Sequence, residues 1–133
     1  MILIDTNVLF DVVTDNAEWF EWSKARLDEA ELAGELLIND IVFAEFSVRY
    51  ASLEATERAV VDLGLIVEAT PRAALFLAGK AFQKYRARKG SLKTGVLPDF
   101  LIGAHAACLD VPLLTRDPRR YRTYFPRLEL IAP

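Results

Sequence analysis

Short apolar runs recur along the chain, and each is followed by a stretch that suits a helix. Ile2–Asp5, Glu35–Asn39, Leu65–Val67, Leu113–Thr115 and Leu128–Ile131 read as strands. They are rich in Ile, Leu and Val, and too short to be buried helices. Helices are expected over Asn7–Val13, Ala17–Ala33, Ile41–Tyr50, Leu53–Leu63 and Pro71–Arg88, with another from Pro98-Asp99 to about Leu109-Asp110. Asp15-Asn16 breaks the first helix, Gly34 and Gly64 end two others, and Asp40 is read as an N-cap. Trp19, Trp22, Leu27 and Leu32 form the apolar face of the second helix, and Gly90–Leu97 reads as a loop. Parallel strands need long crossover connections, and their sheets are covered by helices on both faces. The alternation therefore predicts an α/β fold with a mainly parallel central sheet.

A chain of 133 residues suits one domain, 1–133, with enough interior for a real core. No apolar run reaches the roughly 18 residues that would cross a bilayer, and the opening lacks the pattern of a secretory signal, so a cytoplasmic protein is expected. Cys108 is the only cysteine, which excludes an internal disulfide and a thiolate metal cluster. It is expected to be a small buried core residue. His105 is the only histidine, so a zinc site or a Ser/His/Asp triad would rest entirely on it. On a helix it points away from the side that carries Asp99, which predicts a structural or surface role.

Four acids stand at the ends or in the midst of apolar stretches. Asp5 ends Met1-Ile2-Leu3-Ile4, and Glu45 interrupts Ile41-Val42-Phe43-Ala44 and Phe46. Asp99 opens Phe100-Leu101-Ile102-Gly103-Ala104, and Asp117 follows Pro112-Leu113-Leu114-Thr115-Arg116. A carboxylate among apolar neighbours is costly to bury unless it is paired, hydrogen-bonded or metal-bound. In a parallel α/β sheet, ligands bind beyond the carboxyl ends of the strands where the strand order reverses, and all four acids can converge there. Carboxylates without thiols or imidazoles suit a hard ion, Mg²⁺ or Mn²⁺, which can activate a water and neutralise a phosphate. Taken singly, each acid has a plainer use. Asp5 and Asp99 could cap helices, Asp117 could shape a turn before Pro118, and Glu45 could pair with Arg49.

The net charge of −3 conceals an asymmetry. Residues 1–70 hold 15 acids and 4 bases, whereas residues 71–133 hold 4 acids and 12 bases. A basic second half fits phosphate contacts with a nucleic acid, although solvated helix faces would give the same count.

Three segments resemble the PIN-domain family. Ile2-Leu3-Ile4-Asp5-Thr6-Asn7 is similar to its opening, and Leu97-Pro98-Asp99-Phe100-Leu101-Ile102-Gly103-Ala104-His105-Ala106 to its third-acid segment. Leu113-Leu114-Thr115-Arg116-Asp117-Pro118, with Tyr121-Arg122-Thr123-Tyr124-Phe125-Pro126, resembles the carboxyl-terminal segment of VapC-type toxins. The resemblance implies a three-layer α/β/α fold and an endoribonuclease, the toxin of a type II toxin–antitoxin pair. It implies that Asp5, Glu45, Asp99 and Asp117 bind Mg²⁺ or Mn²⁺ and hydrolyse RNA, leaving a 5′-phosphate and a 3′-hydroxyl. Thr6, Asn7 and Thr115 would orient carboxylates or water, and Arg116, Arg86, Arg88 and Lys89 are candidates to touch RNA. A cognate antitoxin and a homodimer are the implied partners. Asp117 departs from the commonest pattern, because Pro118-Arg119-Arg120 follows it rather than a further acid.

Other functions fit less well. A haloacid-dehalogenase-like phosphatase needs a second Asp two residues after the first, where this chain has Asn7. A phospho-receiver domain needs a Lys directly after a late strand, and none follows Leu113-Leu114-Thr115. The alternative that survives is a non-catalytic RNA-binding or scaffold domain with the same fold. Asp11, on an early helix, could reach the edge of the site, but a solvated helix face is the expectation. Trp19, Trp22, Phe76 and Phe82 are expected in the core or a dimer contact.

Overall fold

The computed structural model describes residues 1–89 and 94–133, with no side chain described for Lys89 or Thr94. The expected loop over Gly90–Leu97 therefore lies partly outside the described residues. Five strands among the described residues, β1 (Ile2–Ile4), β2 (Leu36–Asn39), β3 (Leu65–Glu68), β4 (Leu113–Leu114) and β5 (Leu130–Ile131), pair in the order β3-β2-β1-β4-β5. Every pairing is parallel. The α-helices around them are α1 (Thr6–Val13), α2 (Phe20–Ala33), α3 (Asp40–Ser47), α4 (Leu53–Asp62), α5 (Arg72–Lys89), α6 (Leu97–Leu109) and α7 (Arg119–Tyr124). The α/β fold with a parallel central sheet is thus as the sequence predicts.

β1 holds the middle of the sheet because it is buried on both faces. Leu3 and Ile4 are fully enclosed, as are Leu37 and Ile38 beside them and Leu113 and Leu114 on the other side. From β1 the chain builds outward through β2 to β3, then returns across the sheet to β4 and β5. The reversal leaves a crevice at the carboxyl ends of β1 and β4, where side chains from distant segments can meet. On one side of the sheet α6 carries a nearly all-buried surface: Phe100, Ile102, Gly103, Ala104, His105 and Ala106. Gly103 is obligatory there. A Cβ at this position would stand 2.7 Å from a ring carbon of Phe125 and 2.9 Å from one of Tyr121, both at or next to α7.

Local details correct several expectations. α7 has no counterpart among the expected helices, since Arg119–Tyr124 is short and dominated by arginine and tyrosine. Asn39, not Asp40, caps α3: its Oδ1 accepts from the backbone N–H groups of Ile41 at 3.1 Å and Val42 at 2.9 Å. Asp40 occupies the first turn and accepts the Thr70 N–H instead. Leu32 is 90% exposed, because α2 buries Ser23, Leu27 and Ala30 and Leu32 lies about 140° round the helix from Leu27. Phe76 is 69% exposed, whereas Phe82 packs partly against the core. Cys108 is exposed rather than buried, because the last turn of α6 emerges from the core after Ala106. His105 is fully buried, in keeping with a structural role, and its Nδ1 has no hydrogen-bond partner among the described residues.

Candidate active site

Asp5 arrives at the crevice as the first residue past β1 and is only 5% exposed. Its backbone N–H is fixed to the Leu114 carbonyl at 2.9 Å, which extends the β1–β4 ladder to the site. It caps nothing with its side chain, which excludes the plainer use as an N-cap of α1. Its Oδ2 accepts from Thr115 Oγ1 at 2.8 Å, Tyr121 Oη at 2.9 Å and Asn7 Nδ2 at 3.3 Å. Burial pushes the Asp5 carboxyl up to about 6; the Thr115 and Tyr121 hydrogen bonds oppose that rise, and the Asp99 charge adds to it.

The residues around Asp5 are saturated. Thr115 Oγ1 donates to Asp5 and accepts from Asn7 Nδ2 at 3.3 Å and from the Asp117 backbone N–H at 3.1 Å. A hydroxyl offers one donor and two lone pairs, so none is left for a further partner. Asn7 spends both amide hydrogens on Asp5 and Thr115, and its Oδ1 accepts the Arg116 N–H at 3.3 Å. Thr6 Oγ1 donates to Glu45 Oε1 at 2.7 Å, tying α1 to α3. Thr6, Asn7 and Thr115 thus hold acids in place. The pairing of Glu45 with Arg49 is not among the ion pairs of the described residues.

Asp99 lies in the first turn of α6, with Val96 as the N-cap residue. Burial raises its pKa, the Arg120 ion pair lowers it, and the Asp117 charge raises it again. Asp117 is more open. Arg119 grips it through Nε at 3.1 Å and a terminal nitrogen at 3.3 Å, and holds its carboxyl below the usual range. Tyr121, which lies in the resembling carboxyl-terminal segment but has no expected role there, proves central. Burial raises its phenol well above its usual value, and the charges of Asp5, Asp99 and Glu45 add to the rise. One hydroxyl therefore feels three of the four predicted acids, and the fourth acts on Asp99.

The donor chemistry, oxygen alone and mostly anionic, fits a hard divalent cation. The side chains as they stand are engaged with protein donors, and among the described residues no three His, Cys, Asp or Glu are posed to hold a metal.

Asp11 corrects a further expectation. It is 1% exposed rather than solvated, and its Oδ2 accepts from Ser23 Oγ at 2.7 Å and Arg116 Nε at 2.8 Å. Arg116 also lies 5.7 Å from the Trp19 ring centroid, so this arginine bolts the loop after β4 to α1 and to Trp19 ahead of α2. Arg86 and Arg88 are exposed on the last turns of α5, and the Arg86 guanidinium sits over the Phe82 ring. The Lys89 side chain lies outside the described residues.

The architecture has counterparts among solved structures. VapBC2 from Rickettsia felis, solved bound to a promoter DNA fragment, matches with a TM-score of 0.73 at 19% identity, covering 100% of this chain and 99% of the other. VapBC-1 from nontypeable Haemophilus influenzae matches with a TM-score of 0.68 at 17% identity, covering 99% and 98%. VapC20 from Mycobacterium tuberculosis, described as a sarcin-ricin loop cleaving toxin, gives 0.60 at 15% identity, covering 92% and 95%. These likenesses establish the fold. No curated protein matches in sequence. The PIN domain profile, however, matches residues 2–126, and with its first acid at the end of β1 and its partners at the end of β4 the chain belongs to the PIN domain family.

Proposed function

We propose that this chain is a metal-dependent endoribonuclease, a single PIN domain over residues 1–133 that acts as the toxin of a VapBC-like pair. The observation that carries the proposal is Asp5: a carboxylate buried at the switch point of the sheet, raised by burial and by Asp99, and surrounded by donors that fix rather than neutralise it. A carboxyl held above its usual range by burial at such a crevice costs the fold stability, which points to chemistry. Asp5, Glu45, Asp99 and Asp117 are assigned as the ligands of Mg²⁺ or Mn²⁺. When bound, the ion would supply a more acidic water and offset charge on the phosphate.

The chain's own contribution is positioning. Thr115, Tyr121 and Asn7 lock the Asp5 carboxylate, and Thr6 locks Glu45, so the anionic face is set before RNA arrives. Hydrolysis is expected to leave a 5′-phosphate and a 3′-hydroxyl. The arginines of the second half, Arg86 and Arg88 among them, would hold flanking phosphates. The likeness to VapBC2 and VapBC-1 supports a cognate antitoxin as partner, and a homodimeric toxin is proposed with it. No described helix is long and apolar enough to cross a membrane, and a cytoplasmic site of action agrees with an RNA substrate.

The test is cleavage of pooled total RNA by the purified chain with Mg²⁺ or Mn²⁺, with EDTA and Asp99→Asn as controls. Discrete fragments that vanish in both controls are expected. Intact RNA with either metal, from folded protein free of antitoxin, would refute the nuclease and favour a non-catalytic RNA-binding domain.

A further inference from the structure

Two arginines from the start of α7 reach the acids, and they do so very differently. Arg119 grips Asp117 from two residues away with its side chain 88% exposed, a contact that solvent and salt weaken. Arg120 crosses from α7 to the first turn of α6, 21 residues earlier in the chain, and pairs with Asp99 with only 33% of its side chain exposed. Its guanidinium carbon also stands 5.9 Å from the centroid of Tyr85, on α5. Tyr85 is itself buried and packs against Phe100 and Tyr124, which together form an aromatic wall. Arg120 is therefore held from two sides: by an acid assigned to the cation and by an aromatic face that binds guanidinium whether or not the acid is present.

We propose that Arg120 is a positioning residue with two stations. It pairs with Asp99, competes with a divalent cation for that carboxylate, and when displaced turns along Tyr85 to a backbone phosphate of the nucleic acid. The inference rests on the metal-dependent nuclease reading given above. A guanidinium and a divalent cation cannot both take the same partly buried carboxylate at full strength, so each weakens the other. Without Arg120, Asp99 would face Asp5 and Asp117 uncompensated. The planar fork that grips a carboxylate grips a phosphate equally well, so the second station needs no new chemistry.

The first readout is Mn²⁺ affinity of the full chain without RNA, followed by the electron paramagnetic resonance signal of free Mn²⁺. Arg120→Gln is expected to bind Mn²⁺ about threefold to fivefold more tightly, the fold-change at the upper end of what losing a partly exposed ion pair as competitor supplies. Arg120→Lys, which keeps the charge, and Arg122→Gln, exposed on the same helix, are expected to stay within about twofold of the unaltered chain. Equal or weaker Mn²⁺ binding by Arg120→Gln would overturn the exchange. The second readout is binding of a single-stranded DNA oligonucleotide, which offers the same phosphates. Saturating Mn²⁺ is expected to strengthen this binding in the unaltered chain and much less in Arg120→Gln; an equal gain in both would overturn the phosphate station. Absence of RNA cleavage together with the expected Mn²⁺ shift would refute the nuclease and leave the exchange standing.

Discussion

Replacing Asp5 by Asn is expected to make the protein more stable while abolishing the proposed RNA cleavage. Burial moves the Asp5 carboxyl from 3.8 to about 6. At about 1.4 kcal/mol for each tenfold change in an acid equilibrium, that shift corresponds to about 3 kcal/mol held against the folded state at neutral pH. Asn has nearly the same shape, and its carbonyl oxygen can take the place of Oδ2 before Thr115, Tyr121 and Asn7. Its neutrality removes the cost of the buried anion, so a gain of about 1–3 kcal/mol is expected at pH 7.5, or about 3–10 °C in the thermal midpoint of a chain this long. The sign is decisive. A raised carboxyl pKa means that the folded state binds the proton more tightly, so the native protein gains stability as pH falls through 6. The gap between Asp5→Asn and the native chain is therefore widest above pH 6 and closes near 3.8. Thermal unfolding in EDTA at pH 7.5, 6, 5 and 4 reads this directly. A variant less stable at pH 7.5, or a gap independent of pH, would refute the argument. Mg²⁺ should raise the midpoint of the native chain and leave that of Asp5→Asn nearly unchanged.

Two further perturbations probe the supports of the site. Gly103→Ala is expected to destabilise by about 1–3 kcal/mol in urea unfolding, because the new Cβ meets Phe125 and Tyr121, although alanine favours a helix by about 1 kcal/mol. Cleavage should fall with it, since Tyr121 would be pushed from Asp5, and a stabilised Gly103→Ala would show that α7 yields freely. His105 is buried with its pKa lowered, by burial foremost, against the opposing pull of Glu68 and Asp40. Its neutral form stabilises the fold above pH 6.5, and that stability is lost as pH falls through the folded value. His105→Gln should therefore gain stability relative to the native chain between pH 7.5 and 5, and an unchanged difference would count against a buried neutral imidazole.

The strands and the four acids are legible in the sequence because their signals are local. A run such as Ile2-Leu3-Ile4 before Asp5 says both that a strand is buried and that its end carries a charge. What is not legible depends on separation along the chain. Tyr121 meets Asp5 across 116 residues, and Arg116 meets Asp11 across 105, so neither the phenol nor the buried ion pair has a pattern in its own neighbourhood. Asp11 reads as solvated because helix periodicity does not know that an arginine will cover it. Asn39 and Asp40 are both good capping residues, and only the hydrogen bonds decide between them. Leu32 and Cys108 show the converse, in which apolar character alone does not ensure burial.

The position of β1 in the sheet also sets an order of events. It is made before its neighbours, yet one of them, β4, begins at Leu113, and the donors that fix Asp5 come from Thr115 and Tyr121. Pairings this remote in sequence form late, after the entropy of closing a long loop has been met. A growing chain therefore carries Asp5 with no β4 wall beside it until Leu113 and Leu114 have emerged, and without the Thr115 and Tyr121 hydroxyls that hold it. If the chain cleaves RNA, no finished site exists on it before β4 and Tyr121 have emerged and docked beside β1.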